Sequence, residues 1–352
     1  MSSSDTRRRS GGARPLLRYV AVRSAISVLL LWGVTLVTFT MTNLVPADPV
    51  QAVLGEQASN NPAIVEATRH RMGLDQPLPV QYGLYLRRLV HLDLGTSAQT
   101  HNPVLVDLQS AFPATMELAT FVLVLSVLLG VGLGLVAALR HQRLADKVIR
   151  VGSLIGISLP TFWLATLAFY LFFYKLGALP GSGRLDAQFS PPPHVTGMYT
   201  VDAAMAGQWD VLANALWHLV LPGGVLTLYT VGVLVRFSRS AILEVAGQEY
   251  VLAARAKGLP GRRVTFGYVL RGALLPVLTM TGLTFGSLLS GSVLTESVFA
   301  WNGMGQYAYR ATTSLDLQAV MGVGIVVGAV FIAANFVVDL LYGVIDPRVR
   351  LA

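Results

Sequence analysis

The chain has 352 residues, of which 53% are hydrophobic and only 12% charged, with a formal net charge of +8 and no cysteine. Ordinary soluble domains carry about 25% charged residues, so this composition argues against a water-soluble enzyme. The missing cysteines exclude disulfides, thiolate metal sites and a thiol nucleophile.

The amino end is rich in Ser, Arg and Gly over residues 1–14, a composition unable to bury a core. The expectation is a disordered cytoplasmic head over 1–18, a membrane body over 19–346 and a cytoplasmic tail over 347–352. Basic residues followed by an apolar run have the charge order of a signal peptide. The run is too long for a cleaved signal and lacks an A-x-A site, so it reads as an uncleaved first helix.

Six stretches contain no Asp, Glu, Lys or Arg: 24–47, 118–139, 151–174, 211–235, 272–295 and 317–338. Each holds 22 to 25 residues, and about 20 helical residues cross the hydrocarbon at 1.5 Å per residue. The predicted fold class is therefore an all-α integral membrane protein with six transmembrane helices. It is expected to be multi-pass in the plasma (inner) membrane. Sorting the intervening segments by side gives net +13 on the side of the termini and −5 on the other. The positive-inside rule makes the first side cytoplasmic, which accounts for the basic charge without a nucleic-acid partner.

Span one ends near Pro46 and Pro49 and opens into a long outer loop, 45–113. Inside that loop Tyr82, Tyr85, Leu86 and Leu89 follow helical spacing, which predicts a helix over 81–90. It reads equally as a passive cap or as a docking face. Gly130, Gly132 and Gly134, then Gly152/Gly156, Gly282/Gly286 and Gly324/Gly328, place small residues where helices approach closely in lipid. Ser158 and Pro160 in span three, and Pro222 and Gly223 in span four, are candidates for lining a pathway, because a mid-span break is tolerated where protein or a water-filled cavity covers the backbone. Plain structural kinks stay open for each. Pro276 at the start of span five predicts a similar break. His218 is the one titratable side chain within the six runs, and a packing role fits it better than a proton relay. The last outer loop, 296–316, carries Phe299, Trp301, Tyr307 and Tyr309, which suit an interfacial aromatic belt.

Between spans four and five lies a basic cytoplasmic loop, 236–275. Its residues 249–258 have helical composition, with Glu249 in the first turn, Lys257 in the last, and Gly258 where a helix stops. Leu259-Pro260-Gly261 forbids continuation. Charge alone leaves two readings open, a loop that merely obeys membrane topology or a rigid knob read by a partner.

Ala253-Ala254, Gly258 four residues on, and Leu275-Pro276 resemble the EAA loop of ABC-transporter permeases. The run Glu249-Tyr250-Val251 with Ala254-Arg255-Ala256-Lys257-Gly258-Leu259 is similar to the version in the peptide/nickel branch. Leu252 replaces the usual Glu and the spacing from Gly258 to Pro276 is long, both of which fit that branch. Residues 72–82 and 92–97 resemble signatures of the first permease of dipeptide/oligopeptide systems. Residues 177–184 and 346–350 continue the likeness, which spans about 20–350.

The resemblance implies an importer permease for dipeptides, oligopeptides or a related small solute such as a nickel chelate, and with it the direction of transport. It implies that Glu249, Tyr250, Ala253, Ala254, Arg255, Ala256, Lys257 and Gly258 couple to two cytoplasmic ATPase subunits. It further implies a second homologous permease forming a heterodimer and an extracytoplasmic substrate-binding protein. No phosphate loop of the G-x-x-x-x-G-K-[ST] type occurs, so the expectation is a non-catalytic subunit without cofactor, with ATP and magnesium in the partners. The spans lack the buried charges that ion-driven carriers keep, although a secondary carrier or channel working without an ATPase stays as the alternative.

Overall fold

The computed structural model describes residues 13–44, 50, 61–71 and 73–345. Among these the regular secondary structure is helix, with one isolated bridge between Thr96 and Pro103 and no strand. The expectations for residues 1–12, for the prolines at 46 and 49 and for the tail from 346 lie outside the described residues.

Helix α1, Ala13–Leu44, begins before the expected boundary, so residues 13–18 are helical rather than part of a disordered head. Pro15 does not prevent this, because proline is tolerated in a first turn whose N–H groups lack partners anyway. Two short helices follow, α2 over Pro62–Arg71 and α3 over Leu78–Val90. The second contains the predicted 81–90 helix. Its Tyr82 hydroxyl lies 2.9 Å from Thr35 Oγ1 on α1, and Tyr85 stacks on Phe39.

Helix α4, Val104–Leu139, starts ten residues inside the segment expected as outer loop and runs through Pro113. Asp107 in its first turn suits the dipole there, and Pro113 is buried beneath the later outer loop. Helix α5, Leu144–Ser158, and helix α6, Thr161–Ala168, which continues as a π-helical turn over Phe169–Lys175, are bent by 95° at Leu159-Pro160. The break expected at Pro160 in span three is present. Proline forces the preceding residue out of the α region, and Leu159 is extended at φ −87°, ψ 130°.

After α7, Tyr199–Met205, helix α8 runs unbroken over Trp209–Ala246. The expected breaks at Pro222 and at Pro276 are absent. Pro222 is covered on both sides by buried Leu221 and Gly223. Beside Pro276, within α11 (Leu270–Gly291), Tyr342 donates to the Leu275 carbonyl at 3.0 Å. Both helices continue through their prolines without a break. Helix α8 is about 57 Å long at 1.5 Å per residue and projects beyond the bilayer, shortening the loop expected from 236.

Three short pieces join α8 to α11: α9 over Glu249–Ala256, α10 over Gly261–Val264, and a π-helical turn over Thr265–Val269. Beyond α11 come α12, Val293–Val298, α13, Met304–Thr313, and α14, Leu317–Ile345. Among the described residues five helical stretches are long and apolar enough to cross a membrane, and the bent pair α5–α6, taken as one span, makes a sixth.

Helix α8 is the hub, pairing most extensively with α4 and also with α5 and α11, while α1 packs on α14. Lipid gives helices little hydrophobic reason to meet, so close approach must supply the attraction. A β-carbon at Gly130 would lie 2.5 Å from Leu234 Cβ, and one at Gly156 would lie 2.6 Å from the Leu228 carbonyl. Gly132 and Gly152, from the same sequence pattern, face open space.

Candidate functional site

Helix α9 is short because both its ends are fixed by backbone chemistry. Gln248 is extended before it, and no side chain caps it. At the other end the N–H of Gly258 reaches the Arg255 carbonyl at 2.9 Å and that of Leu259 reaches Ala254 at 3.3 Å. Gly258 has φ +73° with nothing within 4 Å of a would-be β-carbon, so its conformation, and not crowding, calls for glycine.

The helix presents two faces. Val251 and Ala254 are buried with Ala138 of α4, Ala241 and Ile242 of α8, Val264, Val269, and Ala273 of α11. Glu249, Tyr250, Ala253, Arg255, Ala256, Lys257 and Gly258 are exposed. Ala254, grouped by sequence with the residues that admit a partner, therefore faces the bundle. Tyr250 leans on the foot of α11, where a β-carbon at Gly272 would lie 2.5 Å from its hydroxyl.

Beside α9, a buried ion pair fixes the start of α5 to α8. Arg239 Nε and Nη2 donate to the two Asp146 carboxylate oxygens at 2.7 and 2.9 Å, and the Gln142 N–H donates at 3.0 Å. Sequence reasoning passed over this pair. The available signal was a lone acid, Asp146, among the basic residues 140–150.

The break in the α5–α6 span opens on a cavity of ≈ 480 Å³. Residues 157–161 form one wall; Leu226, Tyr229, Thr230 and Val233 of α8 form another; Met280, Leu283, Thr284 and Ser287 of α11 form the third. No Asp, Glu, Lys or Arg lines it. Of the candidate lining residues, Ser158 and Pro160 are on its wall. Pro222 and Gly223 are not: both are buried, and a β-carbon at Gly223 would lie 2.7 Å from the Phe121 ring.

The end of the bundle remote from α9 is tied by buried carboxylates, which sequence reading also missed. Glu117 of α4 accepts from Arg184 Nη2 at 2.6 Å and from the Thr200 N–H and hydroxyl at 2.6 and 2.8 Å, while Arg184 stacks 3.6 Å over the Tyr199 ring. Two residues earlier, Thr115 donates to Glu296 Oε1 at 2.8 Å and accepts the Met304 N–H at 2.8 Å. Ser292 and the Gln306 N–H complete the shell around Glu296. Burial pushes the Glu296 carboxyl above the usual carboxylate range, against the pull of its donors Ser292 and Thr115. Asp202 goes the other way: burial raises it, but donors from Thr196, Gly197 and Val195 outweigh that and hold it low. Phe299 and Trp301, expected in an interfacial belt, are each 1% exposed. Trp301 Nε1 donates to the Ala114 carbonyl at 2.8 Å, a bond that a buried indole needs.

Comparison with known proteins adds two family matches. Residues 130–351 match binding-protein-dependent transport system inner membrane components, and residues 16–119 match the amino-terminal part of the membrane components of such systems. The probable D,D-dipeptide transport system permease protein DdpB of Escherichia coli (strain K12) is 46% identical over 322 residues, covering 92% of this chain and 94% of that protein. The di/tripeptide transport system permease protein DppB of Pseudomonas aeruginosa is 39% identical, covering 95% of this chain and 99% of its own. The dipeptide transport system permease protein DppB of Alkalihalophilus pseudofirmus is 38% identical, covering 95% of this chain and all of its own length.

Proposed function

The chain belongs to the family of binding-protein-dependent transport system inner membrane components, and on that premise we propose that α9 is the lever through which ATPase partners drive it. The protein is a multi-pass permease subunit of an ABC importer for dipeptides in the plasma membrane. It is a transport subunit and not itself a catalyst.

The observation that carries the lever is the placement of α9. Its buried face rests on the feet of α8 and α11, and those same helices wall the cavity. A push on α9 reaches two walls of the passage directly, and rigid packed elements are able to transmit such a push. In this reading the end bearing α9 faces the cytoplasm, where two ATPase subunits hold ATP and magnesium. Exposed Glu249, Tyr250, Arg255 and Lys257 contact them, and Ala253, Ala256 and Gly258 let the backbones come close. ATP binding biases one of two bundle arrangements. A second, homologous permease completes the passage as a heterodimer, and an external binding protein delivers peptide to the far end. Ser158 and Pro160 line that passage.

The test is Gly258→Glu, which adds bulk and charge at a position whose backbone already disfavours any side chain. Membrane insertion is expected to stay normal while ATPase association and uptake disappear. Wild-type uptake by this variant, or solute flux by the permeases reconstituted with no ATPase, would refute the lever.

A further inference from the structure

The cavity at the α5–α6 break has hydrogen-bonding capacity of one kind left over. The hydroxyls of Ser158, Thr230 and Ser287 donate to the Leu154, Leu226 and Leu283 carbonyls at 2.8, 2.7 and 3.0 Å. Their protons are used within their own helices. The hydroxyls of Thr161, Tyr229 and Thr284, which also line the cavity, have no such partner among the described residues. Thr284 matters most, because it is only 9% exposed and its hydroxyl has only the cavity to serve.

These free donors stand beside the start of α6. Pro160 there supplies no side-chain cap, the first turn has no acidic residue, and the first intrahelical bond is from the Leu164 N–H to the Pro160 carbonyl at 3.1 Å. The N–H groups of Thr161, Phe162 and Trp163 are therefore left unpaired at the positive end of the helix dipole. The break comes eight residues after Arg150, about 12 Å into the apolar run, where water screens such an end poorly.

We infer that this corner of the cavity is a station for a carboxylate, and that the group it takes is the terminal carboxylate of a peptide in transit, held by the start of α6 with Thr161, Tyr229 and Thr284. An anion there meets several donors and no cation, so it is held without the tight ion pair that would stop it leaving. The inference rests on reading the cavity as part of the passage.

The experiment uses the complete complex in detergent, without ATP and without the external binding protein. Binding of glycylglycine, glycylglycine amide and acetate is followed by saturation-transfer NMR. The free acid is expected to bind about tenfold more tightly than the amide, since a site built to meet one polar group rejects an analogue lacking it. Acetate is expected to displace the acid. Thr284→Val should weaken the acid about fivefold through loss of one charge-assisted bond and leave the amide unchanged. Should Thr284→Val fail to assemble, Tyr229→Phe serves the same comparison. Equal binding of acid and amide, or no binding of either, overturns the station. Uptake measured on the same complex reconstituted into sealed vesicles with ATP and the binding protein separates this outcome from failure of the lever. Acid and amide bound alike, with uptake still requiring the ATPases, removes the station alone; a normal station with uptake free of ATPase removes the lever alone.

Discussion

The two ends of the bundle are held by different forces. Around α9 the contacts are among small apolar groups, Ala138, Ala241, Val251, Ala254 and Ala273 with their neighbours, with a charged clamp beside them in which Asp146 pairs with Arg239 and Arg150. At the other end Glu117, Asp202, Glu296 and Asp316 are all buried and bonded to several donors, which for Glu117, Glu296 and Asp316 include groups far away in sequence. Apolar contact has no preferred direction, so one surface is able to slide on another at small cost. A buried carboxylate with several donors holds one geometry, because moving any donor leaves a desolvated charge unmatched. The difference teaches that motion belongs at the α9 end, with the opposite end acting as the fixed frame.

The hardest blow to that contrast is removal of Arg184. Its side chain is 9% exposed and its partner Glu117 3%, and breaking a buried pair by deleting one member costs about 3–5 kcal/mol. Arg184→Ala should therefore sharply reduce assembled protein and its melting temperature; a melting temperature within a degree or two of wild type would show that the outer frame does not depend on this pair. Val251→Ala should have a smaller effect on stability, about 2 kcal/mol for two buried methyl groups and the space they leave. Transport should suffer more than folding, since α9 loses its grip on α8 and α11. That is read as the ratio of ATP hydrolysed to peptide moved, which should rise.

The smallest effect concerns pH. Glu296 has its carboxyl raised by burial, so the folded state binds the proton more tightly than the unfolded chain does. Its contribution to stability is complete below the ordinary carboxylate range and is lost as pH rises through the folded-state value. A series of melting temperatures should fall along that stretch in the wild type and flatten in Glu296→Gln. An unchanged slope would mean that Glu296 is ionised in the folded protein.

Much of the fold was legible in the sequence because each span needs only length and the absence of charge. Residue 258 was legible as a helix stop for a similarly local reason, the need for a left-handed backbone. The ties at the outer end were not. Thr115 and Glu296 are 181 residues apart, and Glu117 and Arg184 are 67 apart, so no local pattern links them. The aromatic residues 299 and 301 misled for the same reason: amphipathic rings suit a membrane interface, and only the packing of α12 and α13 on α4 and α6 put these two in the core.

Sequence by itself located the long apolar stretches, the uneven distribution of basic charge between them, and the short helix that follows the fourth of them. These depend on transfer of one segment at a time between water and lipid. Tertiary structure alone decided that Pro160 breaks its span while Pro222 and Pro276 do not, that Val251 and Ala254 seat α9 on α8 and α11, and which carboxylates anchor the frame. The last two turn on contacts between residues far apart in sequence, which no local pattern reveals.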